Sequence, residues 1–207
     1  MPTDINREPK DISDYFSLCN SIIIILNIVV FLVVDLSYSS TNTDWMITCG
    51  ALYWPLVLEK GEYFRLLTSM FLHFGIAHLL NNMLILWFIG GTLEKLTGHI
   101  RFLFLYFLSG ILAGVISMGY NIGTGQAPVA AGASGAIFGT VGALLYLVIK
   151  SRGSSSGFSK RQMLVFLFLS LYGGFANQNV DNAAHIGGFI SGFLLAFMLC
   201  HNMTAKK

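Results

Sequence analysis

The chain has 207 residues, of which 55% are hydrophobic and 11% charged, with a mean hydropathy of +0.69. Water-soluble domains carry about 25% charged residues, so the composition excludes an ordinary soluble domain and points to an all-α membrane protein whose main partner is the lipid bilayer. A net charge of +2 is too small to imply nucleic acid as a partner.

Apolar runs fall at roughly residues 16–34, 71–90, 102–119, 129–149, 163–176 and 182–200, each consistent with a transmembrane helix of about 20 residues. The expected organisation is a short cytoplasmic segment over 1–15, one six-span domain over 16–200 and a tail over 201–207. A polar stretch precedes the first run and no small-residue cleavage site follows Val34, so this run is read as a retained span rather than a signal peptide. The long first loop, about residues 35–70, carries Trp45, Tyr53, Trp54, Tyr63 and Phe64. Such side chains favour the membrane–water boundary, and the loop is expected to lie partly embedded beside the helices. Glu59, Lys60, Glu62 and Arg65 read as its solvated or paired charges. The fifth run is short, and Gly153-Ser154-Ser155-Ser156-Gly157 before it reads as a flexible linker.

Orientation follows from the basic residues. All but two of the 12 Lys and Arg lie in alternate segments that share one side, the exceptions being Lys60 and Arg65 in the first loop. The positive-inside rule then puts both termini in the cytoplasm. The second, fourth and sixth spans run inward, and His78, Asn82, Ser134 and His185 all fall near their outer ends. Polar and ionisable side chains within a bilayer mark functional sites.

Ser134, in Gly132-Ala133-Ser134-Gly135, and His185, in Ala184-His185-Ile186-Gly187-Gly188, suit nucleophilic catalysis, because a serine hydroxyl needs a base and histidine titrates near working pH. Gly132 and Gly135 allow a substrate backbone to approach and supply backbone freedom. Gly135, Gly139 and Gly142 on the fourth span, with Ala184, Gly188 and Gly192 on the sixth, form two smooth faces able to pack backbone to backbone. That packing would bring Ser134 toward His185 and set Phe138 under the imidazole ring. His78 and Asn82 lie about 40° apart around a helix, so they can donate as a pair to an oxyanion, with the Ser134 N–H as a third donor. His73, rotated about 140° from His78 on the same helical reading, is assigned a structural role securing the first loop. Asp181 reads as the N-cap of the sixth helix rather than a triad carboxylate.

Cys19, Cys49 and Cys200 show no CxxC spacing and no even-numbered framework, so neither a zinc site nor a disulfide scaffold is indicated, and no metal or other cofactor is expected. Rival readings are a small transporter or proton relay, disfavoured by the lack of acidic residues mid-span, and a noncatalytic binder of membrane helices, which has no use for the serine and histidine pair.

The elements His73-x4-His78-x3-Asn82, Gly132-Ala133-Ser134-Gly135, Ala184-His185-x2-Gly188-x3-Gly192 and Gly90-Gly91-x2-Glu94 together resemble the rhomboid family of intramembrane serine proteases over roughly residues 60–200. The resemblance implies a Ser134 and His185 dyad with no acidic third member, and an oxyanion held by His78, Asn82 and the Ser134 N–H. It further implies single-span membrane protein substrates, cut near the outer end of the helix after a small residue, and a bacterial cell membrane location. Two departures are Phe64-Arg65 where family members often have Trp-Arg, and Phe138 where many have tyrosine.

Overall fold

The structure, a computed structural model, describes residues 17–151, 159–165, 167–168 and 180–202. The terminal segments, the Gly153–Gly157 linker and most of the fifth apolar run lie outside the described residues.

The architecture is a helical membrane bundle. In chain order it contains α1 (Leu18–Ser37), α2 (Thr43–Thr48), α3 (Trp54–Lys60), α4 (Arg65–Thr68), α5 (Ile76–Ile85), α6 (Gly91–Thr97), α7 (His99–Gly123), α8 (Ser134–Lys150) and α9 (Asn182–Cys200). A π-helical turn, Leu86–Gly90, joins α5 to α6, so Ile76–Thr97 runs as one helix of 22 residues. Among the described residues, α1, Ile76–Thr97, α7 and α9 are long and apolar enough to cross a membrane, and α8 is a shorter apolar helix of 17 residues. Large apolar side chains such as Ile25, Val33, Phe104, Ile190 and Met198 face outward, as expected where the surrounding solvent is hydrocarbon and every backbone polar group must be satisfied within its helix.

Helix α8 is the centre of the bundle. Gly135 to Leu145 are all buried, as are Leu147 and Val148, and the helix packs against both α7 and α9. At 1.5 Å per residue it is about 26 Å long, less than the ~30 Å hydrocarbon thickness. On the other side of the bundle, α1 begins without a local side-chain cap. Its orphan amides are met from a distance: the Cys19 and Asn20 N–H groups donate to Glu94 Oε1 and Oε2 at 3.0 and 2.7 Å. A carboxylate is favourable there because the helix N-terminus carries partial positive charge. Asn20 Nδ2 in turn donates to the Leu86 carbonyl at the start of the π turn, at 3.0 Å.

The first loop is structured. Asn42 caps α2 by accepting from the Trp45 N–H, and Pro55 lies in the first turn of α3, where its missing N–H is no loss. Arg65 is buried and paired rather than solvated: it binds Glu62 Oε2 at 2.6 Å and donates to the Ile47 and Ala51 carbonyls. The loop is tied to the turn before α8 by reciprocal backbone bonds between Leu52 and Ala130 at 2.8 and 2.9 Å and by Trp54 Nε1 donating to the Gln126 carbonyl. An aromatic-rich loop is thereby fastened to the segment that leads into Ser134.

Candidate active site

Small residues decide how closely α8 and α9 meet. A Cβ placed on Gly188 would lie 2.1 Å from the Gly135 carbonyl oxygen, one on Gly192 would lie 1.9 Å from the Gly139 oxygen, and one on Gly142 would lie 2.1 Å from the Phe189 oxygen. These are backbone atoms, so the two helices touch main chain to main chain, the contact that small-residue faces permit. Helix α7 closes in beside the same contact, where added Cβ atoms on Gly135 and Gly139 would strike Ala113 and Ser109. Gly135 and Gly139 are therefore small for two neighbours at once.

This contact sets the first turns of α8 and α9 side by side, Gly135 facing Ala184. Ser134 opens α8 and is half-buried, while His185 lies in the first turn of α9 and is buried. Phe138, one turn beyond Ser134, stacks flat on the His185 ring with centroids 4.1 Å apart and planes 9° from parallel. The stack needs only the ring face, so phenylalanine serves it. His185 Nδ1 is buried and has no hydrogen-bond partner among the described residues. Asp181 caps α9 by accepting from the Ala184 N–H at 2.9 Å. Its second oxygen accepts from Ser117 Oγ, which also receives Asn121 Nδ2 at 3.2 Å. The carboxylate is thus occupied by the helix cap and by α7, and the cap fixes where the His185 turn begins.

The turn before Ser134 is built by three successive amides. The Gly132 N–H donates to the Ser69 carbonyl at 2.9 Å, and the Ala133 N–H donates to His73 Nε2 at 3.4 Å. The Ser134 N–H comes next, at the first helical position, where it has no intrahelical acceptor. Gly132 has φ +141, and a Cβ there would lie 2.9 Å from His78 Nε2 and 3.7 Å from Ser134 Oγ. Glycine is required at this position both by backbone conformation and by the imidazole beside it. Gly135, by contrast, is helical, and its need for glycine is one of packing.

His78 and Asn82 sit on α5, with His78 half-buried against Gly132 and Asn82 buried. Asn82 Nδ2 gives one hydrogen bond to the His78 carbonyl at 3.0 Å, leaving its second N–H uncommitted by that bond. Asn81 is exposed. His73 requires a correction, since α5 begins only at Ile76 and His73 lies in the segment before it. The helical-wheel angle to His78 therefore does not apply. Its ring stands edge-on to that of His78, centroids 5.1 Å apart, and it holds the Ala133 amide, so it secures the turn leading into Ser134. Sequence reading also missed Ser117 and Asn121; two polar residues four apart in the second half of a largely apolar helix were the available signal.

The family profile described as Rhomboid domain matches residues 60–202. The chain is 40% identical over 176 residues to Rhomboid protease GluP of Bacillus subtilis (strain 168), covering 85% of this chain and 34% of that protein. It is 41% identical over 151 residues to RHOMBOID-like protein 1 of Arabidopsis thaliana, covering 72% of this chain and 38% of that one. With Putative rhomboid protease YdcA of Bacillus subtilis (strain 168) it shares 35% identity over 147 residues, 69% of this chain and 70% of the relative. Against the first two of these, the chain spans little more than a third of the relative's length.

Proposed function

The chain belongs to the rhomboid family, and we propose that it is an intramembrane serine endopeptidase acting through a Ser134 and His185 dyad. A ring nitrogen of His185 takes the proton from Ser134 Oγ as the oxygen attacks the scissile carbonyl. The tetrahedral oxyanion is met by the Ser134 N–H, His78 and the second N–H of Asn82. His185 then returns the proton to the departing amine nitrogen, leaving an acyl group on Ser134 Oγ, and the same base activates a water that releases it. Phe138 holds the imidazole plane through these steps, and Gly132 keeps space open for the substrate backbone.

The observation that carries this reading is the 4.1 Å Phe138–His185 stack beside the main-chain contact of Gly135 with Gly188. Together they bring the helix start that bears the serine against the turn that bears the histidine. Because α8 is shorter than the hydrocarbon is thick, its start can lie below the membrane surface, reached by a segment unwound from a neighbouring substrate helix. The proposed substrates are single-span membrane proteins cut near the outer end of their transmembrane helix. The enzyme is placed in the cell membrane with both termini cytoplasmic and the site toward the outer side, supported by the distribution of Lys and Arg. A fluorophosphonate probe should label the purified protein, and labelling together with cleavage of a single-span substrate should vanish in Ser134→Ala and in His185→Ala. Cleavage by folded Ser134→Ala at near the parental rate would refute the dyad.

A further inference from the structure

A second group of reactive side chains lies at the far end of the helix that carries His78. Glu94 is sixteen residues beyond His78, about 24 Å along the helix axis. There Cys19 of α1, Glu94 of α6 and His99 of α7 converge, so that one ligand atom from each lies within 4.8 Å of the other two. These residues are up to 80 positions apart, which is why cysteine spacing gave no sign of them. We propose that Cys19 Sγ, Glu94 Oε1 and His99 Nδ1 bind one thiophilic divalent cation of the zinc type, with water completing the tetrahedron.

The chemistry of the three groups selects the ion. A sulfur, an imidazole nitrogen and a carboxylate oxygen form the mixed N/S/O set that zinc accepts, whereas calcium and magnesium require oxygen ligands throughout. To admit the ion, Glu94 Oε1 and His99 Nδ1, now in direct contact, must part while Cys19 Sγ closes in, and His99 is placed to move, its side chain being 61% exposed against 1% for Glu94. Glu94 has the acceptor capacity for both tasks. Oε2 keeps the Asn20 N–H, while Oε1 keeps the Cys19 N–H and exchanges its contact with His99 Nδ1 for the ion. Charge and protons balance simply, since Cys19 releases its thiol proton to solvent as the sulfur–metal bond forms and His99 ligates as neutral imidazole. The bound ion would bolt the first turn of α1 to the junction of α6 and α7. This assignment is independent of the protease reading, because none of its ligands belongs to the proposed dyad or oxyanion hole.

Cobalt(II) added to the full chain in detergent serves as the probe. The expected result is one cobalt per chain with a near-ultraviolet thiolate charge-transfer band, displaced by zinc. That band should disappear in Cys19→Ser and persist in Cys49→Ser and Cys200→Ser. His99→Ala, altering an exposed side chain, should weaken binding by at least about tenfold, the scale on which even outer-shell partners act. At one zinc concentration the thermal unfolding midpoint of the parent should rise by more than that of His99→Ala. A folded parent that shows no thiolate band at saturating cobalt, or a band and affinity unchanged in Cys19→Ser or His99→Ala, would overturn the assignment.

Discussion

Replacing Gly188 by alanine tests the main-chain contact on which the candidate site depends. The added Cβ would stand 2.1 Å from the Gly135 carbonyl oxygen and 3.0 Å from its carbon, whereas ordinary contact begins at 3.4 Å. The obstacle is backbone within a buried helix, so no side-chain rotation relieves it, and the helices must part locally by about 1.3 Å, the difference between 3.4 and 2.1 Å. Overpacking of this kind costs about 1–3 kcal/mol. The strain falls between the turn that bears Ser134 and the turn that bears His185. A displacement of about 1 Å between reacting groups can lower turnover ~100-fold, so activity should fall much further than stability alone would lower it. The assay is the initial rate of cleavage of a single-span substrate in detergent, alongside thermal unfolding of the same preparation. Gly119→Ala is the matched control, since among the described residues nothing lies within 4 Å of the Cβ it would add on α7, and a helical Gly-to-Ala change there should stabilise by about 0.5–1 kcal/mol. Parental rate and unfolding midpoint in Gly188→Ala would refute the close contact of α8 with α9.

Asn82→Ala should lower turnover by roughly ten- to a thousandfold with little change in substrate affinity, while Asn81→Ala, altering an exposed side chain, should leave the rate near parental; equal losses in both would mark the asparagines as structural. Asp181→Asn should retain the cap on Ala184 and most of the activity, because asparagine caps helices about as well as aspartate, and a several-thousandfold loss of turnover would instead indicate a triad carboxylate. Gly132→Ala should lose both activity and thermal stability, since φ +141 and the neighbouring His78 ring leave no room for a methyl group; an active, equally stable variant would contradict the geometry of this turn.

The apolar runs were legible because a bilayer imposes a length and a composition on anything that crosses it, and α1, α7 and α9 fall within a few residues of the runs that announced them. The ends were less legible. The second run reads as starting near Phe71, yet the helix starts at Ile76, because the polypeptide from Ser69 to Gly75 is spent holding the Gly132–Ala133 turn through Ser69 and His73. The glycine faces could be read from their spacing of three and four, since helical period maps directly onto a surface. What that spacing leaves open is which partner a small residue serves, and the tertiary structure decides it: Gly135 and Gly139 are wedged between α7 and α9 together. Asp181 was readable as a cap from its position, but its second bond to Ser117 was not. Nor was the use of Glu94 to close the start of α1 across a separation of 74 residues. Local sequence determines what a segment can become, through period, propensity and polarity. Which distant carboxylate meets which orphan amide depends on how the helices dock, a property of the whole chain that no single segment contains.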